Sequence, residues 1–128
     1  MLFRSGAPVG FHTDDSITDS RWFLRSAALS VRAGMTRRKA LEGLTIAGAR
    51  MLDLQHRIGS LEPGKDADLV LLSGDPLAVR TQVLETWVEG VKAFDRALPA
   101  DRLVAVGGVG ATRGSHLHID CFDQDHGK

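Results

Sequence analysis

His12-Thr13-Asp14-Asp15 is the stretch of this chain whose residue types and spacing could do chemistry. A carboxylate there can bind a metal ion or take a proton from an attacking water. His12, two residues before Asp14, could contact a substrate. The same residues admit a plainer account. Asp14, Asp15 and Asp19 could form a turn and cap the next helix, because short oxygen-bearing side chains accept the free N–H groups of a helix start. His12 could be a hydrogen-bonded histidine at the end of an apolar segment. A second candidate sits near the other terminus, in His116-Leu117-His118-Ile119-Asp120-Cys121, with His126 further on. On a strand, residues two apart share a face, so two imidazoles could chelate one ion. A polar tail is the plainer account there. Other chemistry is excluded by pattern. One cysteine allows no zinc-finger spacing, and there is no P-loop, G-x-G-x-x-G or G-x-S-x-G string. Gly107-Gly108-Val109-Gly110 lacks the helix that a phosphate cradle needs.

The elements that must position these residues follow from local pattern. Leu2-Phe3-Arg4-Ser5 before Gly6 reads as a helix end with its glycine just beyond. Ala7-Pro8-Val9-Gly10-Phe11 reads as a short buried strand over 7–11, which puts His12 to Asp15 at its C-terminal end. A buried parallel-type strand needs neighbours and covering helices. The sequence therefore predicts that Met1 lies within a helix of a longer protein, as a fragment or a truncated reading frame. Asp19 or Ser20 can cap a helix over 20–33, whose stripe is Leu24, Ala27, Ala28 and Val31 and whose stop is Gly34. Arg21 and Arg25, one turn apart near its start, could be solvated or could reach the Asp14 loop. A second helix is expected over 37–52, with a break near Gly43 and Thr36 as its cap. Lys39 stands where a capping box would have Glu. Arg37, Arg38 and Lys39 oppose the dipole at that helix start. They read as a solvated basic face, with an anionic partner as the sharper alternative.

Downstream, Ile58 to Pro76 reads IGSLEPGKDADLVLLSGDP. Glu62-Pro63-Gly64-Lys65 is a turn. Leu69-Val70-Leu71-Leu72 is an apolar run that suits a strand covered on both faces, and Ser73-Gly74-Asp75-Pro76 stops it. Strands are expected at 67–72, 83–88 and 91–95, the last two joined by Glu89-Gly90 as a two-residue hairpin loop. Trp87 and Phe94 read as core or interface anchors. Val104 to Gly114 reads as loop.

As a string, Ile58–Pro76 resembles the G-x-[IL]-x-x-G-x-x-A-D-[LI]-[VL] signature near the C-terminus of the metal-dependent amidohydrolase superfamily, in its imidazolonepropionase- and prolidase-like branch. ALEGLTIAGARMLDL resembles that family's A-L-x-x-x-T-x-x-x-A-x-x-L helix pair, and Val83–Phe94 its V-x-x-V-[WF]-V-x-G-x-x-V-[FY] hairpin. The resemblance covers about residues 1 to 105. It implies an α/β fold: the last strand and helices of a (β/α)8 barrel, plus the C-terminal part of a small β-sandwich domain, together a fragment of a larger fold. Residues 1–54 would end the barrel domain, 55–96 would supply sandwich strands, and 97–128 would be a loop-rich tail. Catalytic groups of barrels collect at the C-terminal ends of the strands. The family carries an Asp after its eighth barrel strand, and Asp14 is the matching residue. The resemblance implies that Asp14 ligates metal and serves as general base. It leaves His12 and Asp15 as substrate contacts and Arg21 as a supporting residue behind them. The family's H-x-H lies far upstream of its Asp, so its ligand role is not carried onto His116 and His118.

Composition bounds the rest. At 128 residues the chain suits one ordinary domain and falls short of the roughly 250 residues of a complete barrel. Hydrophobic content of 43% with 25% charged residues indicates a soluble globular class, and zero formal net charge leaves no footprint for nucleic acid. Cys121 alone allows no internal disulfide and fits a reducing, cytoplasmic setting. No apolar run approaches the roughly 20 residues of a membrane span. Two readings follow. The first is part of a metal-dependent hydrolase of non-peptide C–N bonds. It would take a small amide or cyclic amide, use one or two divalent ions with zinc first, be compatible with a homo-oligomer, and be inactive alone. The second is a non-catalytic αβ interaction module using strand edges and apolar patches.

Overall fold

The computed structural model describes residues 7–14, 19–107 and 111. Asp15, Cys121, His116, His118 and His126 lie outside the described residues. A 3₁₀ turn over Ser20–Trp22 leads into α1 (Phe23–Arg32), then α2 (Arg37–Leu44) and α3 (Ile46–Met51). Three strands follow, β1 (Leu69–Leu72), β2 (Val83–Val88) and β3 (Val91–Asp95), and then α4 (Pro99–Val106). No described helix is long and apolar enough to cross a membrane.

The helix ends form as the residues require. Asp19 accepts the Arg21 N–H at the first turn, and Thr36 Oγ1 accepts the Lys39 N–H at 3.3 Å. At the end of α1 the Gly34 N–H donates to Val31 O and the Met35 N–H to Ser30 O, both at 2.9 Å. That double bond pattern needs a left-handed residue after the helix, and Gly34 supplies it with φ 101°. Met35 is thereby turned inward and is buried with Ala27 and Ala40. The two alanines let α1 and α2 approach closely, and Val9, Phe11, Val31, Leu44 and Leu77 pack around them.

The break between α2 and α3 falls at Thr45 (φ −136°, ψ −102°), two residues beyond Gly43. Gly43 has another use. A Cβ there would stand 2.8 Å from Phe11 Cε2 and 2.9 Å from the Val9 oxygen, closer than packed atoms tolerate. Its carbonyl accepts the Phe11 N–H at 3.0 Å.

The sheet is antiparallel, in the order β1-β2-β3. Leu69 pairs with Trp87 and Thr86 with Phe94, with irregularities at Leu71/Leu72 and Thr86/Trp87. Glu89 (φ 50°) and Gly90 (φ 76°) both take positive φ, as the favoured two-residue hairpin turn demands. Gly74-Asp75 joins the sheet to the helices. Arg37 Nη2 donates to both carboxylate oxygens of Asp75 at 2.8 Å. Asp75 also accepts the Leu77 N–H at 3.0 Å, which brings Leu77 onto the helical core. The Arg37 guanidinium, with help from the Leu77 amide, holds the Asp75 carboxyl below its ordinary value. A depressed pKa means that the pair stabilises the fold above the unfolded pKa of about 3.9 and is lost as pH falls through the folded one. Asp75→Ala is therefore expected to lower the urea midpoint at pH 7. Asp75→Asn should lower it less, because its amide oxygen still accepts from Leu77. The deficit should shrink at pH 3, and equal midpoints at pH 7 for the variants and the parent would refute the link.

Three expectations are corrected. Residues 7–13 have no regular secondary structure. No described strand lies beside them, and the Phe11 N–H donates to Gly43 O of helix α2 rather than to a sheet. β1 is not covered on both faces, since Val70 and Leu71 are 51% and 49% exposed; three strands offer it too little to pack against. Residues 104–106, expected as loop, close helix α4 instead. Pro99 in its first turn needs no N–H donor, and this starts the helix despite the glycines that follow.

Candidate active site

The chain from Ala7 to Thr13 lies along α2, tied by Phe11 and admitted by the bare backbone of Gly43. It delivers His12 and Asp14 to the surface, where both are exposed. Asp14 ends the segment in a turn at φ 56°. That left-handed conformation is costly for most residues, and Asp and Asn are among the few that adopt it with ease. The residue type thus suits the turn as well as any chemistry.

Asp14 offers one hard oxygen donor. A resident ion needs several converging donors, and among the described residues no group of three or more His, Cys, Asp or Glu side chains could hold one. The described residues on their own do not fit a metal ion. A groove of about 440 Å³ lies between Ala7–Val9 and Lys39, Glu42, Arg50 and Met51; neither His12 nor Asp14 lines it.

Arg21 is placed on Asp19, five residues past Asp14. Its backbone N–H donates to Asp19 Oδ1 at 2.9 Å, its Nε to Oδ1 and Oδ2 at 2.9 and 2.8 Å, and its Nη2 forms an ion pair with Oδ2. These bonds, the side-chain ones first, lower the Asp19 pKa to about 2 and raise that of Arg21. The stabilisation from this pair is present above the ordinary value of 3.8 and fades as pH falls towards 2. A carbon-detected titration should give Asp19 a midpoint near 2, and Arg21→Ala should raise it towards the ordinary 3.8 but not fully, because the backbone N–H of residue 21 still donates to Asp19. An ordinary midpoint in the parent chain would remove the pair. Arg25 takes a different partner and stacks 5.0 Å from the centroid of exposed Trp22.

The signature segment is engaged in scaffolding. Gly59 stands at φ 90°, and a Cβ on it would sit 2.8 Å from Ala49 Cβ and 2.9 Å from Ile46 Cα, so it docks the segment on α3. Gly64, also at φ 90°, turns the chain with the Lys65 N–H on Glu62 O. Lys65 Nζ reaches Ser60 and Glu62, and Asp66 pairs with Arg57 at 2.7 Å. Asp68 Oδ1 accepts the Glu89 N–H at 2.8 Å and so caps the β2–β3 turn. In β2 and β3, Lys92 bonds Glu85 and Asp95 and lies 5.2 Å from the Trp87 ring centroid. Sequence reasoning did not foresee the Arg37–Asp75 and Asp68–Glu89 contacts, whose partners lie 38 and 21 residues apart.

Residues 1–94 match the model of a family described as the amidohydrolase family. The chain is 30% identical over 131 residues to an imidazolonepropionase of Shouchella clausii, covering 98% of this chain and 28% of that protein. It is 36% identical over 85 residues to a 5-methylthioadenosine/S-adenosylhomocysteine deaminase of Symbiobacterium thermophilum, covering 56% and 19%. A solved amidohydrolase of Thermotoga maritima superposes with a TM-score of 0.70 at 36% identity, over 74% of this chain and 25% of that one. The chain spans between 10% and 28% of the length of the curated relatives it matches. With nearly three quarters of its residues inside the family match and a solved member sharing its fold, the chain belongs to the amidohydrolase family.

Proposed function

We propose that this chain is the C-terminal part of a hydrolase acting on non-peptide C–N bonds, with Asp14 as its proton-transferring carboxylate. The observation that carries the reading is an exposed Asp at the end of a segment packed along a helix, inside the family match. Asp14 takes the proton of the attacking water and hands it to the leaving nitrogen. One residue can do both because a carboxylate titrates reversibly between the two steps. His12, two residues away and also exposed, contacts the substrate beside it, with Asp15 as a second contact, and Arg21 pairs with Asp19 five residues past Asp14. Residues 1–54 are the C-terminal end of a barrel domain and 55–96 supply strands of a sandwich domain. A divalent ion, zinc by its commonness in hydrolytic sites, would take Asp14 as one ligand and would need its other donors from outside these residues; it would supply an acidified water and polarise the bond to be cut.

The substrate is a small molecule carrying a cyclic amide or an exocyclic amino group on a heterocycle. The names of the relatives support this class, one being an imidazolonepropionase and another a deaminase of adenosine derivatives. The test uses the complete product of the gene. Ring opening of imidazolone-type amides and ammonia release from aminopurine nucleosides are assayed with zinc, and again after chelation. Turnover of either class that is lost on chelation and restored by zinc supports the reading. Absence of C–N hydrolysis across both classes would refute it.

A further inference from the structure

We propose that α4 is a strap that holds the Asp19–Arg21 pair at the start of the 3₁₀ turn, through a contact between Gly107 and the Arg21 guanidinium. The start of α4 is fastened to the sheet. Asp101 Oδ2 accepts the Asp95 N–H at 2.8 Å, the Leu98 N–H donates to Asp95 O at 2.9 Å, and Asp95 Oδ1 accepts the Ala97 N–H at 2.9 Å. Its other end reaches back across the chain to Arg21, 86 positions earlier than Gly107. Gly107 takes φ 76°, and its N–H closes the helix on Leu103 O at 2.9 Å. A Cβ at Gly107 would collide with Arg21 Nη1 and stand 3.2 Å from Cζ, so the guanidinium tip lies directly against the bare Gly107 backbone, and an added methyl would push that tip away. A cation at a helix C-terminus is also favoured, because the last carbonyls carry partial negative charge. Asp19 holds Arg21 from the other side.

The result is one run of contacts from β3, through α4, to the pair that begins the 3₁₀ turn. Asp14 lies five residues before that pair. The family match ends at residue 94, so α4 itself lies beyond it. Arg21 then positions the start of the 3₁₀ turn through Asp19, and Gly107 lies against it. The importance of this strap for Asp14 rests on the function proposed above; its existence does not.

Amide hydrogen exchange on the 128-residue chain tests it, by perturbing one side and reading the other. The Arg21 and Trp22 amides donate to Asp19 Oδ1 and Asp19 O. Gly107→Ala is expected to speed their exchange about tenfold, since a local contact supports part of their protection. Arg21→Lys keeps the charge and loses the planar fork. It is expected to speed exchange of the Gly107 amide by a similar factor, because coupling between two sites is reciprocal. The sheet amides of β2 should be unchanged in both variants. Effects confined to the mutated side of the contact would overturn the strap, as would equal loss of protection throughout β2 and α2. If Asp14 proved dispensable for turnover, these exchange results would stand, and only the link to catalysis would fall.

Discussion

Replacing Asp14 by Asn in the complete protein is expected to remove most turnover while leaving the fold intact. Two physical facts separate these outcomes. The residue sits exposed in a turn at φ 56°, and Asn adopts that conformation at least as easily as Asp. Circular dichroism and the melting curve should therefore match the parent. The amide cannot accept a proton at neutral pH, and general-base catalysis typically contributes about 10²–10⁴-fold, so kcat should fall by that order. Asp15→Asn should do much less, since only Asp14 matches the family position. Equal and small effects on kcat would show that neither carboxylate is the base. A larger effect at Asp15 would shift the motif by one residue.

Gly59→Ala is expected to be the most damaging single methyl in the described chain. The added Cβ would meet Ala49 Cβ at 2.8 Å and the Ile46 backbone at 2.9 Å, with φ held at 90°. A strained left-handed residue costs about 1–2 kcal/mol, and forcing a methylene into a packed interface about 1–3 kcal/mol more. The sum, about 2–5 kcal/mol, is a large share of the roughly 5–15 kcal/mol that holds a domain. Gly64→Ala is the control, because it has the same φ and nothing within 4 Å of its Cβ. It should cost only the backbone term. Urea unfolding of the two variants with unchanged slopes decides the matter, and equal destabilisation would mean that packing on α3 plays no part at Gly59.

That pair of glycines also explains the strongest sequence signal. Ile58–Pro76 identified the family, yet its residues close turns and dock a strand. Gly59 seats the segment on α3, Asp68 caps the hairpin, and Asp75 reaches Arg37. The signature is legible because each of these positions admits few residue types, and that makes the string distinctive without making it chemical. The carboxylate with the chemical expectation, Asp14, carries a much weaker local pattern.

The sequence by itself determined what depends on near neighbours. The caps at Asp19 and Thr36, the glycine stop at Gly34, helix α1 and the Glu89-Gly90 turn are set by contacts within a few residues. Their side-chain types and spacing therefore state them directly. Only the tertiary structure decided the rest. Residues 7–11 had the composition of a buried strand and did not become one, because a strand exists only where a partner supplies its hydrogen bonds. Gly43 looked like a helix breaker and proved to be the clearance for Phe11, while the helix broke at Thr45. Arg37 looked like a solvated cation and found a carboxylate 38 positions away. An ion pair or a close approach depends on where two parts of the chain meet, and no local periodicity encodes the meeting place of residues separated by dozens of positions.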